Sequence, residues 1–294
     1  MSKFLNKMKR EISRTGGGAF FLAEWKDGRI ETETLVKTNP CQNIYSVATA
    51  YVVTAVGLLY DRGLLNTDET VTDILAGEIP SDTNPVWYST TVDMLLRHRV
   101  GLPVGFLDID CIDAREFGED YLAYTLRAPT VEDYTPDRYA YTDAAFYILS
   151  RIVEKRAGMP LDDFLWKHLL YPTGCREAAW SHCPMGHAMG ATGLYIRVEE
   201  LVKLGSIYLT GGLYGEQRIL SEEWVGMTLE HGYELKSKCG GRAYGKGGMR
   251  GQMLLVLPEQ GRVFAWLGYG SPDLCEAAAG YGGYLKHADG EKLQ

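Results

Sequence analysis

The sequence of 294 residues predicts an α+β fold in which the two ends of the chain build one antiparallel sheet. Strand patterns occur near the N-terminus, at residues 19–25 and 30–36, and return only at residues 252–257 and 263–267. Between these ends, the chain carries helical patterns that proline and glycine separate. We therefore expect the end strands to pair with each other and the helices to pack around them.

The first elements are predicted in chain order from their turn and periodicity signals. The basic N-terminus begins with an amphipathic helix pattern, and residues 26–29 (Lys-Asp-Gly-Arg) form the turn of a hairpin between the first two strands. A helix is expected from Ser46 to Leu59. Because this helix is apolar on nearly every side, it should be buried in the middle of the molecule. Gly63 follows it, where a C-terminal cap belongs.

The later helices are predicted by apolar periodicity and by the glycine or proline that follows it. They are residues 91–98, residues 144–156, residues 198–209, a helix that begins at Ser221, and residues 272–281. The last two strands are joined by a Pro-Glu-Gln-Gly turn. No repeat or linker divides the chain, so a single domain is expected.

Composition limits the class of function. Hydrophobic residues make up 46% and charged residues 23% of the sequence, as in ordinary globular proteins. The net charge of −8 gives no electrostatic reason to bind nucleic acid or an anionic membrane, so neither is expected as a partner. No apolar segment typical of a signal peptide follows the basic N-terminus. Since the sequence also begins with Met, we expect a cytoplasmic protein.

The cysteines do not predict a disulfide framework or a metal site. The six cysteines are scattered and form no Cys-x-x-Cys pair, which favours free thiols in a reducing compartment. The nearest approach to a zinc-binding pattern is the group Cys175, His182, Cys183 and His187. Its spacing fits no standard zinc finger, and the adjacent His182 and Cys183 would point to opposite sides of an extended segment. No metal and no cofactor are therefore predicted.

Three separated segments carry residue types that acyl transfer to serine requires. They are residues 46–49 (Ser-Val-Ala-Thr), residues 141–143 (Tyr-Thr-Asp) and residues 245–251 (Gly-Lys-Gly-Gly-Met-Arg-Gly). Weaker signals come from residues 95–103 (Leu-Leu-Arg-His-Arg-Val-Gly-Leu-Pro) and 193–195 (Gly-Leu-Tyr). In this order and spacing, the segments resemble the serine β-lactamase-related superfamily, which includes the penicillin-binding proteins. The closest branch is that of class C β-lactamases, esterases and D-aminopeptidases.

The resemblance covers nearly the whole chain and implies a β-lactamase-like fold. In that fold, an antiparallel sheet is flanked by helices, and an all-helical lobe is inserted after the helix that carries the nucleophile. We expect one domain over residues 1–294. Its α/β lobe would comprise about residues 1–65 and 190–294, and its helical lobe about residues 66–189. The pocket would lie between the two lobes.

The resemblance also assigns roles to residues. Ser46 would be the nucleophile, Tyr141 the base and Lys246 the electrostatic partner that lowers the pKa of the phenol. The N–H groups of Ser46 and Met249 would form the oxyanion hole. The residues expected to contact the substrate are Asp143, Gly248 and Met249.

Thr49 departs from the family pattern, which has the form Ser-x-x-Lys. Positions three apart on a helix share one face, so Thr49 should still point into the pocket. A threonine hydroxyl cannot act as a base near neutral pH, and losing the base should lower the rate by roughly two to four orders of magnitude. The sequence therefore predicts an impaired serine hydrolase of small esters, amides or peptides that works through an acyl-serine intermediate.

Several alternatives stay open at this level. The chain could be a catalytically silent family member that serves as a ligand-binding or scaffold protein. Ser46 could be a helix N-cap, and Tyr141 could be one of many packing tyrosines. Lys246, among its glycines, could be a solvated hairpin residue. The expected partner is a small-molecule or peptide substrate, and the sequence predicts no oligomeric state.

Overall fold

A computed structural model describes residues 1–282 of the chain. The α-helices are α1 (Lys3–Thr15), α2 (Ala48–Tyr60), α3 (Val71–Ile74), α4 (Val92–Leu96), α5 (Tyr121–Arg127), α6 (Asp143–Ala157), α7 (Leu161–Leu165), α8 (Val198–Leu209), α9 (Glu222–His231) and α10 (Cys275–Ala279). The strands are β1 (Ala19–Lys26), β2 (Arg29–Thr34), β3 (Gln42–Asn43), β4 (Ala178–Trp180), β5 (Leu194–Ile196), β6 (Leu213–Tyr214), β7 (Gln217–Arg218), β8 (Lys236–Lys238), β9 (Ala243–Gly247), β10 (Met253–Leu257) and β11 (Arg262–Gly268).

Within residues 1–282, the central sheet has six antiparallel strands in the order β2-β1-β11-β10-β9-β8. Strand β1, from the N-terminal end, pairs along its whole length with β11, from the C-terminal end; Trp25, for example, lies opposite Val263. The prediction that the end segments share one antiparallel sheet is therefore confirmed.

Helices cover both faces of this sheet. Side chains along a strand alternate between the two faces, so a strand can pack against helices on both sides. On β11, Phe264 and Trp266 pack in the cluster that contains α1 and α10, whereas Val263 packs in the main core with α8. The rings of Phe4 and Phe264 meet edge to face, with centroids 5.0 Å apart. On the opposite face, Gly205 allows α8 to approach closely, since a Cβ there would lie 2.5 Å from Val263 Cγ1.

Helix α2 is the buried central helix that the sequence predicts, but it begins later than expected. All residues from Ala48 to Leu59 are buried. Ser46 lies just before α2, in a 3₁₀ turn over Tyr45–Val47. Tyr45, at the start of this turn, has a left-handed φ of 48°, which lies outside the α-helical region, so α2 does not extend back through it. The expected cap at Gly63 is left-handed as well, with φ 66°.

Most other predicted helices agree with the structure to within a few residues. Helix α8 has the predicted bounds, and the predicted helix over 144–156 is α6. The helix predicted over 91–98 ends earlier, at Leu96, and His98 beyond it has φ 54°. The helix predicted over 272–281 is reduced to α10.

The inserted segment, 66–189, holds helices α3 to α7 and ends in the short strand β4. β4 returns to the sheet-containing part and pairs with β5, which also pairs with β3 just before Ser46. The strict boundary of an all-helical lobe at residue 189 stays a prediction. All six cysteines are unpaired, as predicted. Over residues 1–282, none of the helices has the length and apolarity needed to cross a membrane.

Candidate active site

Ser46 lies at the turn that leads from β3 into α2. The N–H of Tyr45 donates to Asn43 Oδ1 at 2.9 Å, which fixes this turn. The Ser46 side chain is half-buried, and it caps no helix, because the N-cap position of α2 belongs to Val47. The alternative that Ser46 is an N-cap is therefore wrong.

Tyr141 and Lys246 lie together beside Ser46. Lys246 is on β9 and is buried, and its Nζ is 4.5 Å from the centroid of the Tyr141 ring. This is a cation–π distance. The Ser46 side chain is close enough to the buried Tyr141 hydroxyl to lower the pKa of Tyr141. The Tyr141 hydroxyl nevertheless forms no hydrogen bond with any residue from 1 to 282. The three residues therefore share one site.

The turn after β9 also lies against the Ser46 segment. A Cβ on Gly248 would be 2.7 Å from the carbonyl oxygen of Ile44, so only glycine allows this close approach. Met249 follows and is partly exposed. Within the described residues, the N–H groups of Ser46 and Met249 donate to no other protein group. Both are therefore free to bind an oxyanion, although that role stays a prediction.

Thr49 points into the site as predicted, and a residue that the sequence did not indicate lies next to it. The Thr49 hydroxyl is 2.7 Å from the carbonyl oxygen of Ser46 and 2.9 Å from Glu234 Oε2. The hydroxyl has one proton to donate, and an ionised carboxylate is the stronger acceptor. Glu234 is fully buried.

Glu234 joins three elements in one network. Its carboxylate forms an ion pair with Lys246 and accepts a hydrogen bond from His98 Nε2 at 3.0 Å. His98 Nδ1 accepts from the N–H of Thr142 at 3.3 Å, so the imidazole proton is on Nε2. Burial alone raises the pKa of Glu234, but Lys246 and His98 outweigh burial and hold the pKa well below its usual range. Glu234 is therefore ionised and a weak base.

The backbone around this network is strained. Six non-glycine residues among 1–282 have positive φ, and three of them are Tyr45, His98 and Glu234. Around Glu234, the N–H of Leu235 donates to the carbonyl oxygen of Tyr233 at 2.7 Å and closes a tight turn. Each left-handed non-glycine residue costs about 1–3 kcal/mol and persists only where its surroundings enforce it. The surrounding packing therefore holds these three residues in place.

Tyr141 is a neutral phenol in this site. Burial, followed by the charges of Glu234 and Asp143, raises its pKa far above the usual value. The Ser46 side chain only partly opposes this shift. Because Lys246 is paired with Glu234, its positive charge does not offset the shift either. Among residues 1–282, no group beside Ser46 is therefore a strong base at neutral pH.

Asp143 faces two other carboxylates at the edge of the site. The carboxylate oxygens of Asp108, Asp110 and Asp143 lie within 4.8 Å of one another. Burial, followed by the charges of Asp108 and Asp110, raises the pKa of Asp143 to about 8. At neutral pH, Asp143 is therefore mainly a carboxylic acid, which can donate a hydrogen bond as an asparagine amide would.

Comparison with known proteins gives the family. The family model for β-lactamase matches residues 12–282, which is most of the chain. The chain belongs to the β-lactamase family. No curated protein sequence matches it at a significant level.

Solved structures of several proteins share the fold at low sequence identity. A penicillin-binding protein homolog from Caulobacter crescentus has a TM-score of 0.72 at 14% identity and covers 97% of this chain and 98% of its own. A family VIII carboxylesterase has a TM-score of 0.70 at 15% identity, with coverage of 95% and 96%. A class C β-lactamase from Rhodobacter sphaeroides has a TM-score of 0.64 at 15% identity, with coverage of 97% and 99%.

The residue that sequence reasoning missed in this β-lactamase-family site is Glu234. It lies 185 positions from Thr49 in the chain, in a loop that carries no family motif. The one available signal was indirect: a threonine in place of lysine changes the charge balance around Lys246. The group Cys175, His182, Cys183 and His187 lies outside this site. His182 and His187 pair with Asp162 and Glu154 instead.

Replacing Asp143 with asparagine should change how stability depends on pH. The pKa of Asp143 rises from 3.8 in the unfolded chain to about 8 in the folded protein, so the folded state binds more protons between these values. Stability of the natural protein should therefore fall as pH rises through this interval, and Asp143→Asn should remove that part of the fall. Melting temperatures across the interval test this. A variant that matches the natural protein at every pH would contradict it.

Proposed function

We propose that this chain is a slow serine hydrolase of small esters and activated amides, with Ser46 as its nucleophile. The observation that carries the proposal is the position of the buried Tyr141 hydroxyl beside the Ser46 side chain, with Lys246 against the same phenol ring. Hydrogen bonds of catalytic groups are often long in ligand-free sites and tighten when the substrate binds.

A neutral Tyr141 can still move the proton from Ser46. As Ser46 Oγ attacks the carbonyl carbon of an ester, its proton passes to Tyr141 Oη, while the phenol proton passes to the leaving-group oxygen. The C–O bond to that oxygen breaks, Ser46 is acylated, and Tyr141 ends as a neutral phenol. Water then replaces the leaving group and reverses the relay. Because no strong base assists, the reaction is slow and favours good leaving groups.

The charges around the site favour substrates without a carboxylate. The ammonium group of Lys246 is occupied by Glu234, so it is not free to bind a substrate anion. Asp108 and Asp110 add negative charge nearby. Among residues 1–282, the cationic side chain that acts on Asp110 is Arg250, which is exposed to solvent. Neutral esters should therefore react faster than carboxylate-bearing β-lactams.

A groove beside Tyr45, the residue before Ser46, is the nearest space for the acyl or leaving group, although Ser46 itself does not line it. Its lining combines four aromatic rings with polar side chains: Phe20, Tyr45, Tyr195, Tyr269, Asn39, Gln42, Asn43 and Gln252. Tyrosine rings, which combine an apolar face with a polar hydroxyl group, bind small apolar or aromatic groups well. This supports aryl esters as the first substrates to try.

The second candidate is a ligand-binding protein without turnover. The observation that favours it is the closed network of Thr49, Glu234, His98 and Lys246. In this network the cation is fully paired, and the position of the family lysine holds a hydroxyl. In this case, the groove would bind a ligand and Ser46 would never be acylated.

Covalent labelling separates the two candidates. Incubation with a fluorophosphonate should add the mass of one phosphonyl group on Ser46, slowly, and p-nitrophenyl acetate should be hydrolysed faster than nitrocefin. Ser46→Ala should abolish both reactions because it removes the nucleophile. The matched control Ser13→Ala, at an exposed position on α1, should react as the natural protein does.

Two outcomes would contradict the hydrolase proposal. One is the absence of any adduct after prolonged incubation of the folded protein. The other is an adduct that persists in Ser46→Ala, because it would lie on a different residue. The first result favours the ligand-binding candidate, and the second assigns the reaction to another nucleophile.

A further inference from the structure

The ion pair between Glu234 and Lys246 lies in the place where charge would decide the reactivity of Ser46. Lys246 Nζ forms an ion pair with the Glu234 carboxylate and lies 4.5 Å from the centroid of the Tyr141 ring. Glu234 is completely buried, so solvent does not screen this pair as it would at the surface. The carboxylate therefore has a direct influence on the charge that Tyr141 experiences.

The residues on either side of Glu234 are fixed by packing and by contacts of their own. Its backbone is left-handed, with φ 60°, and the flanking Tyr233 and Leu235 are both buried. Tyr233 donates a hydrogen bond to Asp93, and Arg97 lies over its ring. Such strain is maintained only where the structure over-determines it, and it is typical of functional sites.

We propose that Glu234 is a built-in counter-ion that neutralises Lys246 beside Tyr141 and thereby holds Ser46 in a state of low reactivity. Glu234 touches neither Ser46 Oγ nor the expected position of the substrate, so it is a positioning residue that acts through Lys246 and Tyr141. This inference rests on the proposed function for the role of Ser46.

Other charged and titratable groups also face Tyr141. Asp143 follows two residues later, and Tyr139 lies on the same loop. The His98 ring packs on Tyr141, with centroids 4.4 Å apart. Asp143 is mainly protonated at neutral pH, and His98 has its imidazole proton directed at Glu234. Among these groups, Glu234 is the fully ionised carboxylate that contacts Lys246.

The test is Glu234→Gln, which removes the charge but keeps the shape. With Lys246 no longer paired, Tyr141 should ionise at a lower pH, and each unit of this shift raises the ionised fraction about tenfold. Tyrosinate absorbance, measured as the difference from the same protein with Tyr141→Phe, reports the shift without any turnover. The rate of fluorophosphonate labelling of Ser46 should rise by at least about tenfold at alkaline pH.

Controls separate this inference from a structural role. Glu230→Gln, at an exposed position of α9, should leave both readouts unchanged. The double variant Glu234→Gln/Lys246→Met should lose the gain, because no cation remains beside Tyr141. If Glu234→Gln does not fold, Glu234→Asp keeps a carboxylate but withdraws it by one methylene, and it should show a smaller shift in the same direction.

The results that overturn the inference are distinct from those that overturn the proposed function. A folded Glu234 variant with unchanged tyrosinate absorbance overturns the inference, whatever Ser46 does. A fall in labelling also overturns it, because Glu234 would then assist the reaction. If tyrosinate forms but Ser46 is never labelled, the counter-ion role stands and the hydrolase proposal fails.

Discussion

Replacing Thr49 with lysine and Glu234 with glutamine together should raise hydrolysis of an activated ester by roughly two to four orders of magnitude. The new amine would stand one helical turn from Ser46, where the family has its base. Burial and the charge of Lys246 would lower the pKa of this amine, so part of it would be neutral and able to accept the Ser46 proton.

Thr49→Lys alone should gain much less. Thr49 Oγ1 is 2.9 Å from Glu234, so the new ammonium would pair with that carboxylate and keep its proton. Thr49→Val, which removes the hydroxyl without adding an amine, is the matched control and should show no gain. Steady-state rates with p-nitrophenyl acetate measure all three variants. A double variant that is folded but no faster than the natural protein would contradict the prediction.

The second large effect should come from the sheet, at the buried ion pair between Glu24 and Arg262. Both side chains are more than nine-tenths buried, and Arg262 also packs on the rings of Phe4 and Tyr281. Glu24→Gln would leave the guanidinium buried without its counter-charge, which should lower the free energy of unfolding by about 3–5 kcal/mol. Urea denaturation measures this difference.

Two comparisons check the cause. Glu31 is exposed and lies opposite Glu24 in the register of β1 and β2. Glu31→Gln should therefore change the free energy of unfolding only slightly. Glu24→Leu combined with Arg262→Met removes both charges and should regain most of the lost stability, because apolar side chains replace a buried pair without an unpaired charge. If Glu24→Gln lowers the free energy of unfolding by less than Glu31→Gln does, the ion pair does not stabilise the protein.

Much of the fold follows from local signals in the sequence. Helix α8 and the β1–β2 hairpin are predicted closely, because apolar periodicity and turn residues act over a few positions. Strand β8, the sequence Lys-Ser-Lys, has no apolar alternation and was not predicted. It belongs to the sheet only because it is an edge strand beside β9. Edge strands often carry lysine, which resists pairing with other chains.

The residues of the site that lie in sequence motifs could be predicted, and those outside the motifs could not. Ser46, Tyr141 and Lys246 lie in segments with recognisable spacing, and the structure brings them together. Glu234 was missed because its position depends on packing between distant segments and on a left-handed backbone. No sequence pattern marks this conformation for a glutamate. The start of α2 was missed for a similar reason at Tyr45.

The pairing of β1 with β11 has a consequence for how the chain folds during synthesis. The ribosome releases the β1–β2 hairpin first, and a lone two-stranded hairpin is only marginally stable in water. Its main partner, β11, is synthesised more than two hundred residues later. Until then, β1 lacks this partner and its apolar side chains are exposed to solvent. We expect the helical middle to fold earlier and the sheet to close last, in a slow step set by contacts distant in sequence. Nascent chains stopped before β11 should therefore bind chaperones and aggregate.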